Sequence, residues 1–184
     1  MRWFSILTPA MVLAACVAGS AQTYNLGRAP AAEEVRAWDI TVDSEGKGLP
    51  AGKGTAKEGA TIYTQRCASC HGPNGTGGKA KPLVGGKGTL TATDPVRTIG
   101  SFWPYATTVW DFINRAMPQY AEGSLSADQV YAVTAFLLFK NDIIKESDVM
   151  DAKSLPKVQM PNRDGLVPQR PDWKPSSGAR SSTR

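Results

Sequence analysis

Cys67-Ala68-Ser69-Cys70-His71 constrains this chain more than any other stretch. Two cysteines three residues apart, with a histidine directly after the second, spell the attachment sequence of a c-type haem. Each thiol adds across one vinyl group of the porphyrin, and the adjacent imidazole is brought under the iron. A thioredoxin-like redox pair has no need of that histidine. A structural zinc site wants four Cys or His ligands, and Cys16 is the one cysteine left over. A fold built round this pentapeptide has to wrap a large flat group.

His71 is the single histidine of the chain, so one subunit has no second imidazole for the iron. The sixth position falls to methionine, to a rarer ligand or to nothing. Methionine opposite histidine is the usual set for electron transfer and raises the reduction potential. Met1 and Met11 lie in an apolar leader, which leaves Met117, Met150 and Met160. Met117 and Met160 both precede proline. Met117 is favoured as the iron ligand, because helical patterns flank it on both sides and rigid elements hold a ligand best. Met160 sits in the polar, proline-rich run Lys157-Val158-Gln159-Met160-Pro161-Asn162-Arg163. The bland alternative for either is a flexible core filler.

The leader places the mature protein. Arg2 is followed by an apolar run from Trp3 to Ala18, broken by Ser5, Thr8 and Pro9. It is short for a bilayer span and reads as an export signal over residues 1–21. Leu13-Ala14-Ala15-Cys16 resembles a bacterial lipobox, which would lipidate Cys16 and tether the protein to a membrane; Gly19-Ser20-Ala21 offers an ordinary cleavage site instead. The lipobox is preferred, and either route leads to the periplasm. At 184 residues the chain suits one haem domain. Its net charge of +5 sits largely in residues 153–184, where seven basic residues face Asp164 and Asp172. Such a tail steers an acidic partner or simply stays solvated. No motif points to nucleic acid.

Patterning divides the chain into an irregular lead-in (22–53), a cytochrome-sized region (54–145) and a proline-rich basic tail (146–184). Residues 33–38 suit a short helix. A first helix is predicted from about Thr55 into the haem sequence, with Gly59, Ile62 and Tyr63 on one face. Gly59 costs helix stability, so its place there implies close contact with another helix. Ser126-Ala127-Asp128-Gln129 is a capping-box pattern. It opens an amphipathic helix with Val130, Val133, Thr134, Leu137 and Leu138 at helical spacing, ending near residues 140–142. A middle helix over about 105–115 would bury Val109, Phe112 and Ile113. The glycine- and lysine-rich loop between, residues 72–100, is uncommonly long unless something else fills the core. Haem c, one per chain, would do so.

Together these features resemble class I cytochrome c over residues 54–145. The resemblance implies an all-α fold with one covalently attached haem and irregular N- and C-terminal extensions. It implies that Gly59 meets an aromatic of the last helix, Phe136 or alternatively Tyr131. It also implies that the carbonyl of Pro82, in Lys81-Pro82-Leu83-Val84-Gly85, accepts a hydrogen bond from the His71 imidazole. The cofactor-binding set is then Cys67, Cys70, His71, Met117, Pro82 and Trp103, with His71 and Met117 on the metal. A narrower resemblance covers residues 36–173. Trp38-Asp39-Ile40, Gly48-Leu49-Pro50, the run from Gly100 to Thr108 around Trp103 and the run from Leu155 to Gly165 look like the haem domain of the sulfane/sulfite dehydrogenase cytochrome subunit of bacterial sulfur oxidation (the Sox system). Two-haem members of that family carry a second haem motif, which this chain lacks.

The resemblance implies a non-enzymatic electron carrier. Its donor would be a molybdenum-cofactor sulfite or sulfane dehydrogenase subunit, its acceptor a downstream cytochrome or oxidase. The alternatives are a generic periplasmic cytochrome for another dehydrogenase or oxidase, and a haem enzyme or gas sensor with an open iron site. The last would need an acid–base group over the distal face, and no second histidine exists to serve. The run from Leu155 to Trp173 reads either as a second contact for the partner or as a strap on its own domain.

Overall fold

Gly59 organises the helical core. It lies in helix α2 (Ala56–Arg66), and a Cβ built on it would fall on the backbone carbonyl of Ala132 in helix α5 (Ala127–Lys140) and lie 2.8 Å from Cβ of Phe136. The two helices therefore cross with backbone against backbone. Beside the crossing, the Tyr63 ring packs on Phe136 with centroids 4.9 Å apart. Phe136 is thus the partner of Gly59. Tyr131 faces elsewhere, stacking on Trp110 at 5.4 Å and donating its hydroxyl to the Pro50 carbonyl at 3.0 Å.

The computed structural model describes residues 26–167; the stretch read above as an export signal, with Cys16, and the basic end of the tail with Trp173 lie outside them. The chain divides into two units at residues 39 and 40. The described part of the first holds α1 (Ala32–Trp38), a short helix with no buried residue, supported by Arg28–Glu34 and Arg36–Glu33 ion pairs. The second unit runs β1 (Lys53–Thr55), α2 (Ala56–Arg66), α3 (Ala68–His71), α4 (Ala106–Ala116), α5 (Ala127–Lys140), β2 (Val149–Asp151) and a 3₁₀ turn (Leu155–Lys157). Among the described residues, no helix is long and apolar enough to cross a membrane.

Both long terminal helices start on capping boxes. Ser126 and Gln129 cap α5 as their spacing predicts, with Ser126 Oγ accepting from Gln129 N–H at 3.3 Å. Thr55 does the same for α2: its Oγ1 accepts from Glu58 N–H, and Glu58 takes the Thr55 N–H at 2.8 Å in return.

Two expectations need correction. The all-α reading omits a ribbon: β1 and β2 pair antiparallel, with Lys53 opposite Asp151, Gly54 opposite Met150 and Thr55 opposite Val149. Strands of three residues have too few side chains to show a period of two. The second correction concerns α5, which is not amphipathic along its middle. Every residue from Val130 to Leu138 is buried, as in a helix covered on all sides. α2, α4, β1 and β2 all pack on it.

The tail contributes β2 to that covering and packs further residues on the same domain. Leu155, Val158 and Met160 are buried in the main core. Asn162 donates from Nδ2 to the Phe102 carbonyl at 2.8 Å, and the Arg163 guanidinium lies 5.2 Å from the Tyr105 ring centroid. Residues 149–163 are therefore a strap on their own domain.

Gly59→Val is expected to destabilise the fold by about 2–3 kcal/mol through overpacking, since backbone rather than a movable side chain stands in the way. Chemical denaturation measures this. A second test concerns the strap. Asp151 Oδ1 accepts from the N–H groups of Lys153 and Ser154, both at 2.8 Å, and the Ser154 bond leads in holding its pKa below the ordinary value. The folded pKa is lowered, so this stabilisation is present above the unfolded pKa and fades as pH falls through the folded one. Asp151→Asn should lower the melting temperature at neutral pH and make less difference in acid.

Candidate haem site

α2 hands the chain directly to the haem sequence. Cys67 closes α2 by donating its N–H to the Tyr63 carbonyl at 2.8 Å. The backbone then turns once more, with the N–H groups of Cys70 and His71 both bonded to the Cys67 carbonyl at 3.1 and 3.0 Å. One helical turn puts residues i and i+3 on one side, so both thiols share a face. Each is free and half-buried, and burial pushes the Cys67 thiol up to about 11. Gly72 leaves this turn at φ +80°, where a Cβ would strike the Thr76 carbonyl. The Gly72 carbonyl accepts the buried Tyr63 hydroxyl at 2.9 Å, which ties the exit of the haem sequence back to the helix crossing. Burial pushes that hydroxyl up to about 12.

His71 Nδ1 lies 3.0 Å from the Lys81 carbonyl. A carbonyl only accepts, so Nδ1 carries the proton, which leaves Nε2 as the nitrogen available to a metal. This corrects the expectation for Pro82: the acceptor is one residue earlier. Pro82 contributes the nitrogen of the same tertiary amide. Its ring holds Lys81 in extended backbone, and that presents the Lys81 carbonyl rather than its own.

The segment bearing Lys81 is fixed by residues that the sequence reading passed over. Ala80 N–H donates to the Cys70 carbonyl and Leu83 N–H to the Gly75 carbonyl, both at 2.8 Å. Thr98, Ser101 and Asn141 are buried polar residues. Thr98 N–H bonds Ser101 Oγ at 2.9 Å, Ser101 Oγ donates to the Val96 carbonyl at 2.6 Å, and Thr98 Oγ1 reaches the Gly85 carbonyl. The Thr98-x-x-Ser101 spacing around Gly100, and an asparagine just past α5, are the signals that could have drawn attention to them.

Met117 stands at the C-terminal end of α4, its N–H bonded to the Ile113 carbonyl at 3.1 Å. It is half-buried against the core, as are Cys67, Ala68, Leu83 and Trp103. Met160 is only 4% exposed and Met150 5%, so both sulfurs belong to packing. Trp103 meets Phe112 edge to face at 5.6 Å. Phe112, expected on the buried face of α4, is 45% exposed, while Trp110 is 1% exposed. Ala106, Val109, Trp110 and Ile113 share the inward side of α4, and Phe112 lies a third of a turn away.

An imidazole held through Nδ1–H, two half-buried thiols one helical turn apart, and half-buried Leu83, Trp103 and Met117 are side chains that fit haem c. Comparison with known proteins agrees. Residues 54–137 match the family described as cytochrome C oxidase, cbb3-type, subunit III. No curated protein matches. The chain belongs to the class I c-type cytochromes, haem-binding electron carriers. Its fold is also that of a chain in the crystal structure of the sulfane dehydrogenase SoxCD from Paracoccus pantotrophus. The TM-score is 0.74 and the identity 40%, over 79% of this chain and 72% of that one.

Met117→Ala is expected to abolish the far-red sulfur-to-iron absorption band of the holoprotein and to lower its reduction potential, because the thioether favours ferrous iron. Met160→Ala should keep the band and lose about 2–4 kcal/mol of stability through the cavity it leaves. Visible spectra and denaturation curves of the two variants separate the roles.

Proposed function

We propose that this chain is an exported monohaem cytochrome that takes electrons singly from a molybdenum-dependent sulfite or sulfane dehydrogenase and passes them to a downstream cytochrome or oxidase. The observation that carries the reading is the 40% identity with a chain of the sulfane dehydrogenase SoxCD structure, across 79% of this chain. The match covers more of the chain than residues 54–145, the length of the cytochrome core alone.

In this reading Cys67 and Cys70 would hold the cofactor through thioethers, and His71 Nε2 and Met117 Sδ would be the protein's ligands to its iron. When bound, haem c supplies a one-electron Fe(III)/Fe(II) couple at a potential raised by the methionine. The Lys81 carbonyl holds the proton on Nδ1 and so keeps the imidazole in one tautomer and one orientation. Half-buried Leu83 and Trp103 would line the site with apolar surface, which limits reorganisation during transfer. The chain itself makes and breaks no substrate bonds; sulfur oxidation belongs to the partner. The export signal supports a periplasmic location, and Cys16 supports a lipid tether.

The match of residues 54–137 to an oxidase subunit family favours a second reading, a cytochrome that serves an oxidase with electrons from some other dehydrogenase. Rapid mixing of the oxidised holoprotein with a sulfite or sulfane dehydrogenase and its substrate distinguishes them. The first reading expects reduction within turnover time, slowed by salt if the basic surface steers the encounter. No reduction there, with a normal response to other donors, favours the second. Haem staining after denaturing electrophoresis should be positive for the wild type and weakened or lost in Cys67→Ala and Cys70→Ala.

A further inference from the structure

Asn141 sits just past the end of α5, 8% exposed, with its amide engaged on three sides. Nδ2 donates to the Leu137 carbonyl at 2.8 Å and to the Leu83 carbonyl at 3.2 Å, and Oδ1 accepts from Gly85 N–H at 3.0 Å. The first bond anchors the side chain on its own helix. The other two reach across to the loop that begins at Lys81. Gly100 makes room for the group, because a Cβ there would strike Asn141 Oδ1.

The same loop residues are gripped from other directions. Leu83 donates its N–H to Gly75 and accepts a second bond at its carbonyl from Ile99 N–H at 3.2 Å. The Gly85 carbonyl takes the Thr98 hydroxyl at 2.5 Å. With Leu83 held at both its N–H and its carbonyl, the short lever back through Pro82 to the Lys81 carbonyl has little freedom, since the proline ring fixes one of its dihedrals. That carbonyl is the acceptor for His71 Nδ1–H.

We propose that Asn141 is a positioning residue for the proximal histidine: it holds the Leu83–Gly85 segment so that the Lys81 carbonyl keeps its hydrogen bond to His71 Nδ1, and thereby sets the basicity of Nε2 toward iron. The inference rests on the haem reading above. A bond from Nδ1–H to a carbonyl moves electron density into the ring and makes Nε2 a stronger donor, which favours ferric iron. Loosening the loop weakens that bond and favours ferrous iron. The amide of Asn141 has no polar contact with the imidazole itself; its effect travels through Leu83, Pro82 and Lys81.

The test uses holoprotein. In the wild type, the His71 Nδ1–H resonance should be resolved by NMR and slow to exchange with solvent. Asn141→Leu, which loses all three bonds, should speed that exchange and raise the reduction potential. Thr98→Val, which loosens the same segment through Gly85, should move both readouts in the same direction by less. Leu155→Ala serves as a control: it destabilises the strap side of the core and should leave both readouts where they were. Rapid exchange of the wild-type Nδ1–H, or an unchanged potential in Asn141→Leu or Thr98→Val holoprotein with the methionine band intact, overturns the inference while leaving the electron-carrier reading standing. A potential that moves equally in Leu155→Ala also overturns it, because general loosening would then explain the shift. Wild-type protein that takes up no haem overturns both readings.

Discussion

The backbone contact between Gly59 and Ala132 fixes more of this molecule than its size suggests. It brings α2 and α5 together closely enough for Tyr63 to lie on Phe136. The Tyr63 hydroxyl then reaches the Gly72 carbonyl, at the point where the chain leaves the haem sequence. The far end of α5 carries Asn141, which reaches the loop on the other side of His71. A single helix thus sets the position of both the segment that bears the histidine and the segment that bonds it. This explains why α5 is buried all round over Val130–Leu138: it is the axis on which the other elements are placed.

Polar groups do the corresponding work in the long loop. Residues 72–100 contain no regular element, and a loop of that length is uncommon in a small domain. It is ordered by bonds from a few buried side chains rather than by a ladder. Asn141, Thr98 and Ser101 between them bond the Leu83, Gly85 and Val96 carbonyls and the Gly85 and Thr98 N–H groups, each bond contributing about 1 kcal/mol. The loop also carries many glycines, so the chain can turn tightly without side chains of its own to pack.

Much of this was legible in the sequence because it rests on local spacing. The haem pentapeptide, the Ser126–Gln129 cap, the extent of α5 and the helix-interior glycine all declare themselves within a few residues. Features set by distant contacts did not. The β1–β2 ribbon depends on residues 53–55 meeting 149–151, and proline punctuation disguised a tail whose Leu155, Val158 and Met160 are buried. The position of Phe112 was misjudged because its apolar character suits the face of α4 that Trp110 occupies. The acceptor for His71 was placed one residue late, since family likeness points to the proline while the geometry uses the carbonyl that the proline ring presents.

The ribbon also has a consequence for the order of assembly. Lys53 pairs with Asp151, and Gly59 with Ala132, so the contacts that close the core join stretches far apart in the chain, the kind that forms late. A chain made from its N-terminus has already produced Cys67, Cys70 and His71 before α5 or the strap exists. Until those last segments arrive, the helix that leads into the thiols has no partner to pack against at Gly59. Closure by α5 then fixes the helix that leads into those cysteines, through the contact of Gly59 with Ala132.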